Sequence, residues 1–162
     1  MTTRLKPPEA SGAWVAADER DPGLRVRIRV YGDIVVISLR GPLDVYTVPT
    51  LVGHLTPHRP QTRVTVVDLT HVTFIDSSGF GALAKLAFSA DGTAGPLLGV
   101  ICPQPHLRRA FDIVAVGPRL MVGRDTDDLN AMLGPEHRLS PAVRRDLRQP
   151  PRQPRLQPAP MR

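Results

Sequence analysis

The stretch Asp68-Leu-Thr-His-Val-Thr-Phe-Ile-Asp-Ser-Ser-Gly-Phe-Gly81 leaves one kind of secondary structure and enters another. It begins on the last residue of Val64-Thr-Val-Val-Asp68, a short segment that is β-branched on both faces and therefore predicts a central strand ending at Asp68. Beyond it, Phe80, Leu83, Ala84, Ala87 and Phe88 recur at three- and four-residue spacing, the apolar stripe of a helix reaching about Ala90. Asp91-Gly92 supplies the stop signal. A strand, a short loop and a helix follow one another here, with three polar residues at the helix entrance.

The flanks extend the same alternation. Upstream, Arg25-Val-Arg-Ile-Arg-Val30 alternates charged and β-branched residues with period two, the mark of a half-buried strand. Tyr31-Gly32-Asp33 predicts a turn, and Ile34 to Leu39 resumes as a more buried strand that Gly41-Pro42 ends. Thr47 is placed to cap a short helix, Val48 to Leu55, stopped by Pro57 and Pro60. Downstream come a strand from Leu97 to Ile101, a helix from Pro105 to Ile113, a strand over Leu120-Met-Val122 and a helix from Asp125 or Thr126 to Leu133. A hairpin followed by alternating strands and helices implies an α/β fold. The expected architecture is a mixed, mostly parallel sheet of four to five strands with about four helices.

Composition narrows the function classes. The chain has 162 residues, 41% of them hydrophobic, which suffices for one modest core. It has no apolar run long enough to span a membrane, and its first residues lack the apolar segment of a secretory signal, so a cytoplasmic protein is expected. The single cysteine, Cys102, excludes an intramolecular disulfide framework and a cysteine-based zinc site, and predicts a small buried hydrophobe. Most of the net +6 lies in residues 135–162, where seven arginines accompany Glu136 and Asp146 among seven prolines. That segment reads as a disordered Arg/Pro-rich tail, residues 1–23 as a flexible extension, and 24–134 as the folded domain.

Chemistry concentrates at Asp76-Ser77-Ser78-Gly79. The first turn of a helix presents backbone N–H groups without intrahelical partners, and one N-cap side chain, Asp76 or Ser77, accounts for one polar residue. Gly79 and Gly81 each weaken a helix by ~1 kcal/mol relative to Ala, and they leave its start bare and approachable. Other sites are poorer. Gly79-Phe-Gly-Ala-Leu-Ala84 has the spacing of a dinucleotide fingerprint, but the next strand ends Val100-Ile101-Cys102 without the required acid. Asp76 stands where a hydrolase nucleophile elbow needs glycine, and neither His71 nor His106 forms a base arrangement with Ser78. His54 and His58 are separated by Pro57 and lack a third metal ligand. No catalytic, cofactor-binding or metal-binding residue is assigned.

The order of elements, the Gly41-Pro-Leu-Asp44 turn and above all Asp68-Leu-Thr…Phe74-Ile-Asp-Ser-Ser-Gly-Phe-Gly81 resemble the STAS domain of bacterial anti-sigma factor antagonists. The resemblance spans roughly residues 24–134. It implies a regulator that is not an enzyme: an anti-sigma factor with serine kinase activity phosphorylates Ser78, and a serine phosphatase reverses this. The unphosphorylated form would bind the anti-sigma factor and release its sigma factor. The implied partner-binding residues are Asp44, Asp76, Ser77, Ser78, Gly79 and Phe80. The family's early turn reads Gly-Glu-Leu-Asp, so Pro42 replaces its glutamate. No membrane or direct DNA contact is implied. The alternative is a non-switching STAS scaffold within a larger signalling or transport assembly.

Overall fold

Alternation in the β-branched segments becomes a single sheet with a helical layer on each face. The computed structural model describes residues 14–18, 21–55, 62–87, 95–114 and 119–149. Its elements run β1 (Val15–Asp18), β2 (Asp21–Tyr31), β3 (Ile34–Leu43), α1 (Val48–Leu55), β4 (Val64–Ile75), α2 (Ser77–Leu86), β5 (Leu97–Ile101), α3 (Pro105–Val114), β6 (Leu120–Gly123), α4 (Thr126–Met132), a 3-10 turn (Pro135–His137) and α5 (Pro141–Arg148). The strands lie in sequence order; β1, β2 and β3 pair antiparallel, and β3 through β6 pair parallel. The mixed, mostly parallel α/β sheet is thus as expected.

Period two decides which face each side chain meets. Val35, Ile37 and Leu39 of β3 join Val67, Leu69, Leu98 and Val100 against α1, α2 and α3, which contribute Leu51, Phe80, Leu83, Leu86, Leu107 and Phe111. Phe80 and Phe111 meet edge to face, ring centres 4.9 Å apart. On the far face Ile34, Val36, Val64, Val66, Leu97 and Ile101 are covered by Leu129 and Leu133 near α4, and by Leu139 and Val143.

Several expectations require correction. The sheet has a sixth strand, β1, and α5 is a fifth helix. Residues 1–23 are therefore not wholly a flexible extension: Val15–Asp18 pairs with β2, which itself starts at Asp21. Residues 135–162 are not wholly a disordered tail either. Leu139 and Val143 are buried and Leu147 packs beside them; Val143 and Leu147, four apart, share one face of α5, and Leu139 lies just before its cap. Ser140 caps α5 by accepting from the Val143 N–H (3.3 Å), and Pro141 sits in the first turn, where a missing N–H costs nothing. A count of aliphatic residues hid this spacing. Residues 1–13, 150–162 and the Asp91-Gly92 stop lie outside the described residues. Finally, Gly41-Pro42 does not end β3, and Asp68 does not end β4; both strands continue past bulges to Leu43 and Ile75.

Ion pairs fasten the rim. Arg63 Nε lies 2.6 Å from Asp33 Oδ2, and Arg148 and Arg144 both reach Asp127 Oδ1 (2.5 and 3.2 Å). Hydrogen bonding from Arg63 holds the Asp33 carboxyl below its ordinary 3.8, and Arg148 does the same for Asp127. Both groups are more acidic in the folded chain than in the unfolded one, so their contribution is complete above 3.8 and disappears as pH falls through the lowered folded values. Urea unfolding midpoints should accordingly be insensitive to these two groups between pH 5 and 8 and fall below pH 4. Asp127→Asn should flatten part of that acid limb.

Candidate functional site

Sheet geometry brings two distant pieces of chain together. Strand β4 pairs with β5 only over Val64–Asp68, whereas β3 stays with β4 as far as Leu43 opposite Ile75. The projecting half of β4 finds other partners. Asp68 Oδ1 accepts from the Thr70 N–H (2.9 Å) and hydroxyl, and Gln104 Nε2 donates to the carbonyls of Leu69 (2.9 Å), Val72 (3.2 Å) and Thr70 (3.3 Å). Gln104 thereby satisfies backbone acceptors that have passed the end of β5. The turn after β3 and the first turn of α2 consequently emerge side by side.

Asp76 joins them. Its N–H donates to the Leu43 carbonyl (3.2 Å), its Oδ1 accepts from the Gly79 N–H (3.0 Å), and its Oδ2 accepts from the Val45 N–H (3.2 Å). One oxygen therefore caps α2 while the other holds the turn after β3. Gly79 follows from this closeness: a Cβ there would stand 2.5 Å from the Leu43 carbonyl oxygen and 2.8 Å from Ile75 Cγ2. Gly81 meets no such obstacle.

Asp44 closes its own turn. Its Oδ1 accepts from the N–H groups of Tyr46 and Thr47 (both 3.0 Å), and the Val48 N–H reaches its carbonyl (2.9 Å). Thr47, expected as the helix cap, is instead a buried brace: its hydroxyl donates to the Pro42 carbonyl (2.9 Å) and accepts from the Asp44 N–H (2.9 Å).

Of the six residues assigned to a partner face, the structure brings all six to this edge but exposes them unequally. Ser77 is exposed and Ser78 half-buried, and among the described residues neither hydroxyl makes a hydrogen bond. Asp76 and Asp44 are partly exposed, with their carboxylates engaged internally. Gly79 and Phe80 are corrections. Both are buried, because the helix rotates Phe80 toward Phe111 and presses Gly79 against Leu43, so neither offers a surface contact. In their place stand three apolar side chains absent from the sequence assignment: Val45 (55% exposed), Tyr46 (84%) and Phe74 (55%). An apolar pair inside a turn bracketed by Asp44 and Thr47 was the available signal.

Cys102 is buried, as expected, and desolvation pushes its thiol pKa up, which disfavours the thiolate. No helix among the described residues is long and apolar enough to cross a membrane.

The STAS domain family matches residues 25–127, from within β2 into α4. The chain belongs to the STAS domain family. Its relatives are anti-sigma factor antagonists, and it is one of that group. The anti-sigma-B factor antagonist of Staphylococcus epidermidis is 30% identical over 107 residues, covering 64% of this chain and 96% of the relative. The corresponding protein of Staphylococcus aureus strain NCTC 8325 is 33% identical over 94 residues, covering 56% and 84%. The fold agrees with the crystal structure of an anti-sigma factor antagonist from Mycobacterium paratuberculosis, with a TM-score of 0.54 at 21% identity, over 66% of this chain and 91% of that one.

The two glycines of this STAS domain's α2 should separate cleanly on substitution. Gly79→Ala is expected to destabilise by more than about 1 kcal/mol through its clash with Leu43, whereas Gly81→Ala should stabilise by up to about 1 kcal/mol through helix propensity. Asp76→Ala removes the cap and should cost about 0.5–2 kcal/mol. Urea denaturation of the three variants measures all of these values.

Proposed function

We propose that the unmodified Ser78 edge binds a cytoplasmic anti-sigma factor that is itself a serine kinase, freeing its sigma factor, and that phosphorylation of Ser78 ends this binding until a serine phosphatase removes the group. The chain is then an acceptor and a docking module, not an enzyme. The observation that carries the reading is a half-buried Ser78 in the first turn of α2, its hydroxyl unbonded among the described residues; Asp76 ties that turn to the loop bearing the exposed Val45 and Tyr46, which with the exposed Phe74 near the end of β4 make up an apolar collar. The kinase activity and the reversal belong to the family resemblance and extend it to this chain.

Electrostatics explain how one hydroxyl can switch a surface. Phosphate adds roughly −1.5 to −2 charges and three acceptor oxygens. At the start of α2 it meets unpaired N–H groups and the positive end of the helix dipole, so the fold keeps its stability. The partner meets something different. Docking against the collar would strip water from a dianion beside the fixed Asp76 carboxylate, and each ~1.4 kcal/mol of that penalty lowers affinity tenfold. The effect falls on the complex and spares the carrier.

Phosphate should be located at Ser78 by mass spectrometry after incubation with the cognate kinase and ATP. Ser78→Ala should retain affinity for the anti-sigma factor, and Ser78→Asp should lose at least about tenfold, measured by calorimetry. Equal affinities for the two variants would dismiss the switch and leave a non-switching scaffold. Tyr46→Ala should weaken the complex without altering the unfolding midpoint, because that side chain contributes little to the core.

A further inference from the structure

The family match stops at Asp127, yet the chain from there to Gln149 is also folded and lies across the far face of the sheet. We propose that residues 135–149 form a strap that opens as a unit, hinged at Gly134 and held shut by an ionic latch in which Asp146 sits between Arg27 and Arg29.

The strap has few apolar anchors. Leu139 and Val143 are buried and Leu147 is half-buried; no other strap residue belongs to the core. The remaining attachments are polar. Asp146 Oδ1 pairs with Arg29 NH1 and lies 3.9 Å from Arg27 NH2. Asp127, in α4, takes Arg144 and Arg148. Asn130 Oδ1 accepts from the Leu139 N–H (2.9 Å), and Arg63 NH1 donates to the Glu136 carbonyl (2.5 Å). The chain enters through Gly134, whose φ of +71° is a conformation that favours glycine, so the change of direction is concentrated at one residue.

Closure carries its own opposing force. Arg27 and Arg29 are cross-strand partners of Ser38 and Val36, so their guanidinium groups share the face that α5 covers. With the strap in place their side chains are only 20% and 12% exposed, and Asp146 only 15%. The Nε atoms of Arg27, Arg29 and Arg144, and Oδ2 of Asp146, are then buried without a hydrogen-bond partner. Asp68, across Ser38 on the same face, also acts on Arg29, but Asp146 is the counter-ion that α5 brings. Desolvating both arginines and Asp146 together, with orphaned polar atoms beside them, leaves a small margin for the closed state. Segments held this way open locally at less cost than global unfolding. Opening returns those groups to water and uncovers part of the apolar face formed by Ile34, Val36, Val64 and Val66, on the side of the sheet away from α2. The serine edge is not involved, so the proposal stands apart from the phosphorylation reading.

Hydrogen exchange on the full chain, followed by mass spectrometry, tests it. Amides of residues 139–149 should exchange well before those of β4 in the unaltered protein, and faster still in 0.5 M sodium chloride, which screens the Asp127 pairs. Asp146→Asn leaves Arg27 and Arg29 facing each other and should speed α5 exchange by at least about tenfold while β4 is unchanged. Asp127→Asn should act in the same direction, more weakly. Exchange of α5 in step with β4 in the unaltered protein would overturn the strap, showing that it opens only with the whole domain. An Asp146→Asn variant with unchanged or slower α5 exchange would overturn the latch.

Discussion

Parallel pairing of β3 with β4 is the constraint on which the rest depends. Its first half is largely aliphatic on both faces, with Val36, Ile37, Val64, Val66 and Val67 completely removed from water. A strand pair buried on both sides must be central, and being central obliges helices on each face. Its second half has left β5 behind and survives through bulges, the Asp68–Thr70 turn and the Gln104 amide. The hydrophobic half fixes the fold, and the polar half delivers two loops to one edge.

At that edge a single carboxylate sets the geometry. Asp76 divides its oxygens between the turn after β3 and the helix that follows β4, and the close approach this enforces leaves room at position 79 for glycine only. Ser78, next in line, keeps its hydroxyl unengaged because Asp76 has already done the capping. The usual bland explanation for a serine at a helix start is therefore taken up by its neighbour.

How much of this was legible follows from the range of each interaction. Period-two and period-3.6 patterns are local, so five strands and four helices could be read directly from residues 25–133. The continuation of β3 through Gly41-Pro42 and of β4 beyond Asp68 could not, because those segments are strands only by virtue of each other. Phe80 and Ser78 are two residues apart, yet one faces Phe111 and the other the edge; only the rotation of α2 distinguishes them. The collar adds to the neighbours Val45 and Tyr46 a third residue, Phe74, from 28 positions further on. The C-terminal segment misled because its prolines and arginines are what a disordered chain contains, while Asp146 finds Arg29 more than a hundred residues earlier and Leu139 and Val143 join a core drawn from β3, β4 and β5.

The two layers over the sheet also differ in kind. The α1–α2–α3 side is closed by interlocking aliphatic and aromatic side chains, the other side in part by charges bridging α5 to β2. Two surfaces back to back, one carrying the serine and the other lying beyond the family's shared boundary, are free to drift separately. Salt and acidity therefore loosen the rear covering first, while the front layer answers only to the loss of apolar contact.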